Sequence, residues 1–299
     1  MGWKASQLPD LTGRTAIVTG ANSGIGLQTT KQLAAHGAQV LMACRDVELG
    51  RTAARRLGGS ISVEHLDLAS AASVRAFAEA WDGSLDLLIN NAGVMAPPKL
   101  ASTADGFERQ FGTNHLGHFV LTGLLLPALI KSGAGRVVTV ASIAHHGGTE
   151  AVLEGNLGDG YHPQRTYSNS KLANLLFALE LHRELTAHGV PVTSTAAHPG
   201  VSGTGLVASR DGMGATPFMR IVGSTFFKAF TQSPSAGARA ILYAATEAAP
   251  GSYTGPQGFG ETRGSIGPAR LSARAQDEKL AHRLWQVSEE MTGFRYQWE

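Results

Sequence analysis

Thr15-Ala16-Ile17-Val18-Thr19-Gly20-Ala21-Asn22-Ser23-Gly24-Ile25-Gly26 is the stretch whose reading decides the fold. Five apolar or β-branched residues form a buried strand, and three glycines follow at G-x-x-x-G-x-G spacing. An amphipathic helical pattern then runs to about His36, and Gly37 ends it in the usual C-terminal way. Glycine is needed where the backbone takes a positive φ or lies against a ligand. The helix that opens behind it offers unpaired N–H groups and a partial positive charge, which suit a phosphate. No Gly-Lys-Ser/Thr follows, which argues against a nucleoside-triphosphate loop, and the spacing is not the G-x-G-x-x-G fingerprint. An ordinary tight strand-to-helix turn is the plain alternative.

Outward from this turn, short apolar runs at 39–43, 61–65, 85–89, 136–140 and 192–197 alternate with helical patterns. The helices cover 46–57, 71–81, 104–131 as one or two pieces, and a long one from near Tyr167 to about His188. Strands that are apolar on both faces belong to a parallel sheet covered by helices on both sides. With right-handed crossovers this is an α/β, Rossmann-type doubly wound fold, its ligand-binding loops at the carboxyl ends of the strands. No composition break or fixed-period repeat divides the chain, so a single domain over 1–299 is expected, with its core at about 11–255.

Some stretches break the alternation. Residues 145–165, rich in Gly, His and Pro, read as a long loop. Residues 203–234 carry Phe218, Met219, Phe226, Phe227 and Phe230 and read as a substrate lid, an interface or a membrane contact. An extension at about 256–299, beyond the sheet, ends in an amphipathic helix at 275–291 with Leu280, Leu284, Trp285 and Val287 on one side.

The apolar share of 43% supports a substantial core, and a charged share of only 16% argues against disorder. A net charge of +2 with no Lys/Arg run gives no basis for a nucleic-acid partner. Cys44 is the only cysteine, so no disulfide can form within the chain, and a reducing, cytoplasmic location is expected. No apolar core follows Met1-Gly2-Trp3-Lys4, and no run reaches the roughly 18–20 apolar residues of a membrane span. The richest run, 119–130, is short and contains Pro127, so neither signal peptide nor span is expected.

The strand ends carry the candidate chemistry. The second strand leads into Cys44-Arg45-Asp46. An acid at that place binds a ribose 2′-hydroxyl, and an arginine a 2′-phosphate. Arg45, the first residue off the strand, favours NADP(H) over NAD(H). Asp46 competes for the opposite role, but its place before Val47-Glu48-Leu49 suits a helix N-cap. Asp67-Leu68 can accept from an adenine amino group. In Asn90-Asn91-Ala92-Gly93 small residues let the backbone approach a ribose, and amide side chains can tie loops. For Asn90 both roles stand.

Tyr167 and Lys171 lie four apart and share a helix face. A phenol titrates near ~10, and a neighbouring ammonium lowers it. Lowering it by about three units requires roughly 4 kcal/mol, which one close cation plus a positively charged nicotinamide could supply in a partly dry site. Ser142 ends the fifth strand, where its hydroxyl can hold a carbonyl oxygen. No G-x-S-x-G surrounds it, so it is not a nucleophile. His145 and His146 lack a third ligand, read as surface-loop residues, and give no metal site.

With these residues in place, the chain resembles the short-chain dehydrogenase/reductase superfamily over about residues 11–255. Met42 to Asp46, Asn114-His115-Leu116-Gly117-His118-Phe119, Tyr167 to Asn174, His198-Pro199-Gly200-Val201 and Arg283 to Ser288 resemble its retinol dehydrogenase-like branch. The resemblance implies a tetrad in which Asn114 holds a water relay to Lys171, Lys171 grips the nicotinamide ribose, Ser142 positions the carbonyl and Tyr167 moves the proton. It places Pro199, Gly200, Val201 and Thr204 on the nicotinamide side. The remaining cofactor contacts expected are Gly20, Asn22, Ser23, Gly24, Ile25, Gly26, Arg45, Asp67, Leu68, Asn91, Ala92 and Gly93.

The expected activity is an NADP(H)-dependent interconversion of a carbonyl and an alcohol on an apolar small molecule. An NADP(H)-binding sensor with little turnover is the other reading, but such a protein would normally have lost Tyr167 or Lys171. A homodimer is possible, since dimers are common in the superfamily, although the C-terminal helix could cover the usual face. Many retinoid-acting relatives carry an N-terminal membrane helix, a pattern not found here. Protochlorophyllide-reductase relatives place cysteines near the substrate, whereas Cys44 belongs to the cofactor side.

Overall fold

A computed structural model describes residues 2–155, 160–201 and 232–298. The alternation read from the sequence forms β1 (Thr15–Thr19), β2 (Gln39–Cys44), β3 (Ile61–His65), β4 (Leu87–Asn90), β5 (Gly135–Val140) and β6 (Val192–Ala197). Two short strands, β7 (Tyr253–Pro256) and β8 (Ile266–Pro268), complete an eight-stranded sheet in the order β3-β2-β1-β4-β5-β6-β7-β8. Every pairing is parallel except β7 with β8, which is antiparallel. The stretch 256–299 was expected to lie wholly beyond the sheet, and β8 corrects this. Three residues are too few to show a period, and only their pairing with β7 makes them a strand.

The winding reverses between β1 and β4, which pair directly through Ala16 with Leu87 and Val18 with Ile89. An open α/β sheet binds ligands in the crevice at the carboxyl ends of the strands flanking such a point. The glycine turn after β1 and the 90–93 loop after β4 therefore face each other.

The helices are α1 (Gly24–Ala35), α2 (Val47–Ala54), α3 (Ala71–Glu79), α4 (Arg109–Phe111), α5 (Gly117–Lys131), α6 (Pro163–Ala187), α7 (Pro234–Thr246) and α8 (Glu278–Thr292). Alternation along β1 explains why strands here are apolar on both faces. Ala16 and Val18 join a core with Leu33 of α1 and Ile241 of α7. Ile17 joins another with Val74 of α3, Phe119 of α5 and Phe177 of α6. Full burial of each such aliphatic or aromatic side chain is worth about 1.5–3 kcal/mol.

α4 continues into α5 through a π-helical turn, Gly112–Leu116. Residues 109–131 together make 23 residues, apolar and long enough to cross a membrane by composition, yet 72% of their most apolar window is buried in this core. α8 presents buried Leu280, Leu284, Trp285 and Val287 inward, as its sequence pattern implies. Its Trp285 packs edge-on against Phe119 at 5.0 Å. Tyr296 follows and donates its hydroxyl to Phe119 O at 2.7 Å.

Residues 143–154 contain two 3₁₀ turns, Ile143–Gly147 and Glu150–Glu154, in place of part of the expected long loop. Most of the expected lid lies outside the described residues, including Thr204, Phe218, Met219, Phe226, Phe227 and Phe230.

Candidate active site

The cofactor end is built from the glycine turn and the loops tied to it. Gly20 has φ +63°, and a Cβ there would lie 2.9 Å from Ala92 Cα. A Cβ on Gly26 would lie 2.5 Å from Asn91 Nδ2. Both positions therefore exclude side chains. Asn91 Nδ2 donates to Thr19 O at 2.8 Å, and Thr19 Oγ1 accepts from the amides of Asn91 and Ala92, each at 2.9 Å. Asn90 is buried and donates to Thr122 Oγ1 at 2.9 Å, which is loop-tying. Ser23 stands at the N-cap of α1 without a side-chain cap hydrogen bond, so the first-turn amides are left to a ligand.

Beside this turn, Arg45, Asp67, Val94, Arg109 and Thr113 help line a polar cavity of about 360 Å³. Asp46 accepts from Leu49 N at 3.0 Å through Oδ1 and caps α2, as its place before Val47 suggests. These features fit a dinucleotide: amides and glycines for a diphosphate, and a cavity holding two guanidiniums and one carboxylate for the adenosine end. Leu68 is buried next to Asp67.

The chemical end gathers residues from β4, the π turn, β5 and α6. Tyr167 and Lys171 sit in the first turns of α6, 6% and 4% exposed. Ser142, just past β5, lies close enough to the Tyr167 phenol to favour its charged form. Lys171 Nζ lies 5.8 Å from the Tyr167 ring centre and donates to Val140 O at 3.1 Å. A Cβ on Gly93 would stand 3.1 Å from Asn114 Oδ1 and 3.6 Å from Lys171 Nζ, so both flank that glycine. Asn114 is anchored on both ends. Its Oδ1 accepts from Val94 N at 2.8 Å, and its Nδ2 donates to Val94 O at 3.0 Å and Ser170 Oγ at 2.9 Å. The structure thus brings Asn114, Ser142, Tyr167 and Lys171 to one place in the crevice.

Burial governs the charges there. It pushes the Tyr167 phenol up to about 12, against the opposing pull of the Ser142 hydroxyl. Burial also pushes the Lys171 ammonium down to about 8. The expected acid phenol draws on the nicotinamide charge as well as Lys171, and the protein groups alone leave the phenol above its ordinary value. The cation stands over the ring face and donates to Val140 O, and desolvation is the largest influence on the phenol.

His145 corrects an expectation. It is buried, not on the surface; its Nδ1 donates to Ser142 O at 2.8 Å, and its Nε2 accepts from Ser272 N at 3.3 Å. His146 alone is exposed. Two positions passed over in the sequence also belong here. His118 Nδ1 donates to Asn114 O at 2.9 Å, while its Nε2 accepts from the Thr19 hydroxyl at 2.9 Å, joining the π turn to the end of β1. The i, i+4 spacing of Asn114 and His118, inside the stretch that carries the resemblance, was the available signal. Arg109 had none, because nothing local distinguishes it from a solvated arginine.

A family model for short chain dehydrogenases matches residues 14–213. Retinol dehydrogenase 11 of Mus musculus is 40% identical over 296 residues, spanning 96% of this chain and 89% of that protein. Polyprenol dehydrogenase of Mus musculus is 42% identical over 302 residues, spanning 96% and 86%. The crystal structure of an uncharacterized protein from Mycobacterium paratuberculosis superposes with a TM-score of 0.83 at 43% identity, covering 99% of this chain and all of that one.

Proposed function

The chain belongs to the short-chain dehydrogenase family, in its retinol dehydrogenase-like branch, and on that premise we propose an NADP(H)-dependent enzyme that interconverts a carbonyl and an alcohol on an apolar small molecule, with Tyr167 moving the proton. As a member it is an oxidoreductase acting on CH–OH groups and binding NAD(P). The observation that carries the finer reading is Lys171 standing over the Tyr167 ring, 5.8 Å from its centre, beside Gly93 and Asn114 at the carboxyl end of the sheet.

A dinucleotide held there would supply or take the hydride. In this reading Gly20, Asn22, Ser23, Gly24, Ile25 and Gly26 hold its diphosphate, Arg45 its 2′-phosphate, and Asp67 and Leu68 its adenine. Asn91, Ala92, Gly93 and Lys171 meet the ribose side, and Pro199, Gly200, Val201 and Thr204 the nicotinamide side. Ser142 holds the substrate oxygen in line. Tyr167 gives its proton to that oxygen as an alkoxide develops. An alkoxide is a far stronger base than a phenolate, so a phenol near 12 is acid enough for this direction. Lys171, near 8, can then return a proton at neutral pH. Asn114 has its side chain engaged, so its part in a relay to solvent runs through its main-chain carbonyl, which His118 steadies. The Phe- and Met-rich sequence of 203–234 supports an apolar substrate, as do relatives named for retinol and polyprenol, both apolar alcohols.

The test is a panel of aldehydes, ketones and apolar alcohols, followed by NADPH absorbance in the native protein and in Tyr167→Phe. Turnover of at least one class is expected, lost in Tyr167→Phe while NADPH affinity stays within about threefold. Retained turnover in the variant refutes the role of the phenol. A native protein inert toward every class favours the sensor reading.

A further inference from the structure

A second buried polar cluster lies at the 198–201 turn, past the end of β6. His198 is fully buried, and its Nδ1 accepts from Gly200 N at 3.2 Å. That bond fixes the ring hydrogen on Nε2. Among the described residues Nε2 has no hydrogen-bond partner, but it lies 3.4 Å from Glu261 Oε2. The other carboxylate oxygen, Oε1, accepts from Arg270 N at 2.9 Å. Glu261 is 12% exposed and holds φ at +56°, a left-handed conformation that side chains adopt reluctantly.

Glu261 sits on the connection between β7 and β8, which grips the same turn elsewhere. Val201 N donates to Thr262 O at 3.0 Å, and a Cβ on Gly255 would run into the His198 ring. A carboxylate oxygen 3.4 Å from Nε2 favours, through its negative charge, the tautomer with the hydrogen on Nε2, which leaves the Nδ1 lone pair free for the Gly200 amide. Without it, the ring can place its hydrogen on Nδ1 and lose that bond.

We propose that Glu261 is a positioning residue for the nicotinamide end of the cofactor site, acting through His198 on the 198–201 turn. The inference rests on the reading above that Pro199 to Val201 face the nicotinamide. The positive φ costs a side chain on the order of 1 kcal/mol, and the carboxylate held there has one oxygen on Arg270 N and the other turned to His198.

The experiment compares native protein, Glu261→Gly and Glu261→Gln. Glycine suits the φ and removes the acceptor; glutamine keeps a partly negative oxygen for the Nε2 hydrogen. For each we would measure melting temperature, affinity for NADPH and for 2′,5′-ADP (which has no nicotinamide), and kcat. Glu261→Gly is expected to melt no lower than native protein and to bind 2′,5′-ADP within about twofold. It should weaken NADPH and lower kcat by roughly tenfold or more each, because small misplacements of a reacting group are costly. Glu261→Gln should restore both to within about threefold. A folded Glu261→Gly with native NADPH affinity and kcat overturns this proposal alone, as does a glutamine variant as impaired as the glycine one. A native protein that binds NADPH no tighter than 2′,5′-ADP overturns the underlying reading of the turn and this proposal with it.

Discussion

Replacing Lys171 with Met should stabilise the fold while destroying activity. The ammonium is 4% exposed, donates to Val140 O at 3.1 Å, and has no carboxylate partner among the described residues. Burial lowers it from its ordinary 10.5 to about 8. At about 1.4 kcal/mol per pH unit, that gap means the buried charge costs the folded state about 3 kcal/mol. The sign follows from where the proton sits. Below pH 8 both states are protonated and the full cost is present; as pH rises toward 10.5 only the unfolded chain stays protonated, and the cost fades. Methionine has a similar reach and no charge. It gives up the bond to Val140 O, worth about 1 kcal/mol, but that carbonyl still accepts from Asn174 Nδ2 at 3.1 Å. The net gain is about 2 kcal/mol, or roughly 3 °C in Tm for a chain of this size. Calorimetry at pH 6.5 should show the higher Tm, and urea unfolding at pH 10.5 should show the advantage gone. A variant less stable at pH 6.5, or an advantage unchanged at pH 10.5, would refute the account of Lys171 as a buried charge.

Acid should unfold the protein early. Burial holds His115 and His198 down at about 3 and His118 and His145 at about 4, so each contributes stability above pH 6.5 that is lost as pH falls toward those values. Four such groups remove roughly 5 kcal/mol per pH unit. Near-UV circular dichroism should therefore vanish between roughly pH 5.5 and 4, and a native spectrum at pH 3.5 would contradict it. Arg45→Ala should weaken NADPH and 2′,5′-ADP by about 10–100-fold and NADH by under about threefold in titration calorimetry; equal losses would mean another residue reads the phosphate. Ser142→Ala should lower kcat by about 10²–10³ without loss of NADPH affinity, and a smaller drop would remove Ser142 from the chemistry. Gly26→Ala places a Cβ 2.5 Å from Asn91 Nδ2 and 2.7 Å from Gly20 O, so cofactor affinity should fall about tenfold or more, measured by fluorescence quenching.

The sequence alone determined the winding of the core, because each strand is a run buried on both faces and each helix a stripe, and those periods are local. Tyr167 with Lys171, the glycine turn and Ser142 at a strand end were legible for the same reason: their meaning lies in spacing or in their place on an element. Asp46 was legible as a cap from the three residues after it. What escaped was everything that depends on partners distant in the chain. β7 and β8 exist because they pair, not because their residues alternate. His145 became a buried residue because Ser272 and Tyr253 enclose it. His118 joins two loops 99 residues apart, and Glu261 reaches a histidine from the far side of β7. The charge state of Tyr167 was decided the same way. Spacing puts a cation four residues along, but whether that cation or the loss of water dominates depends on how many groups close over the phenol, and only the packed tertiary structure sets that number.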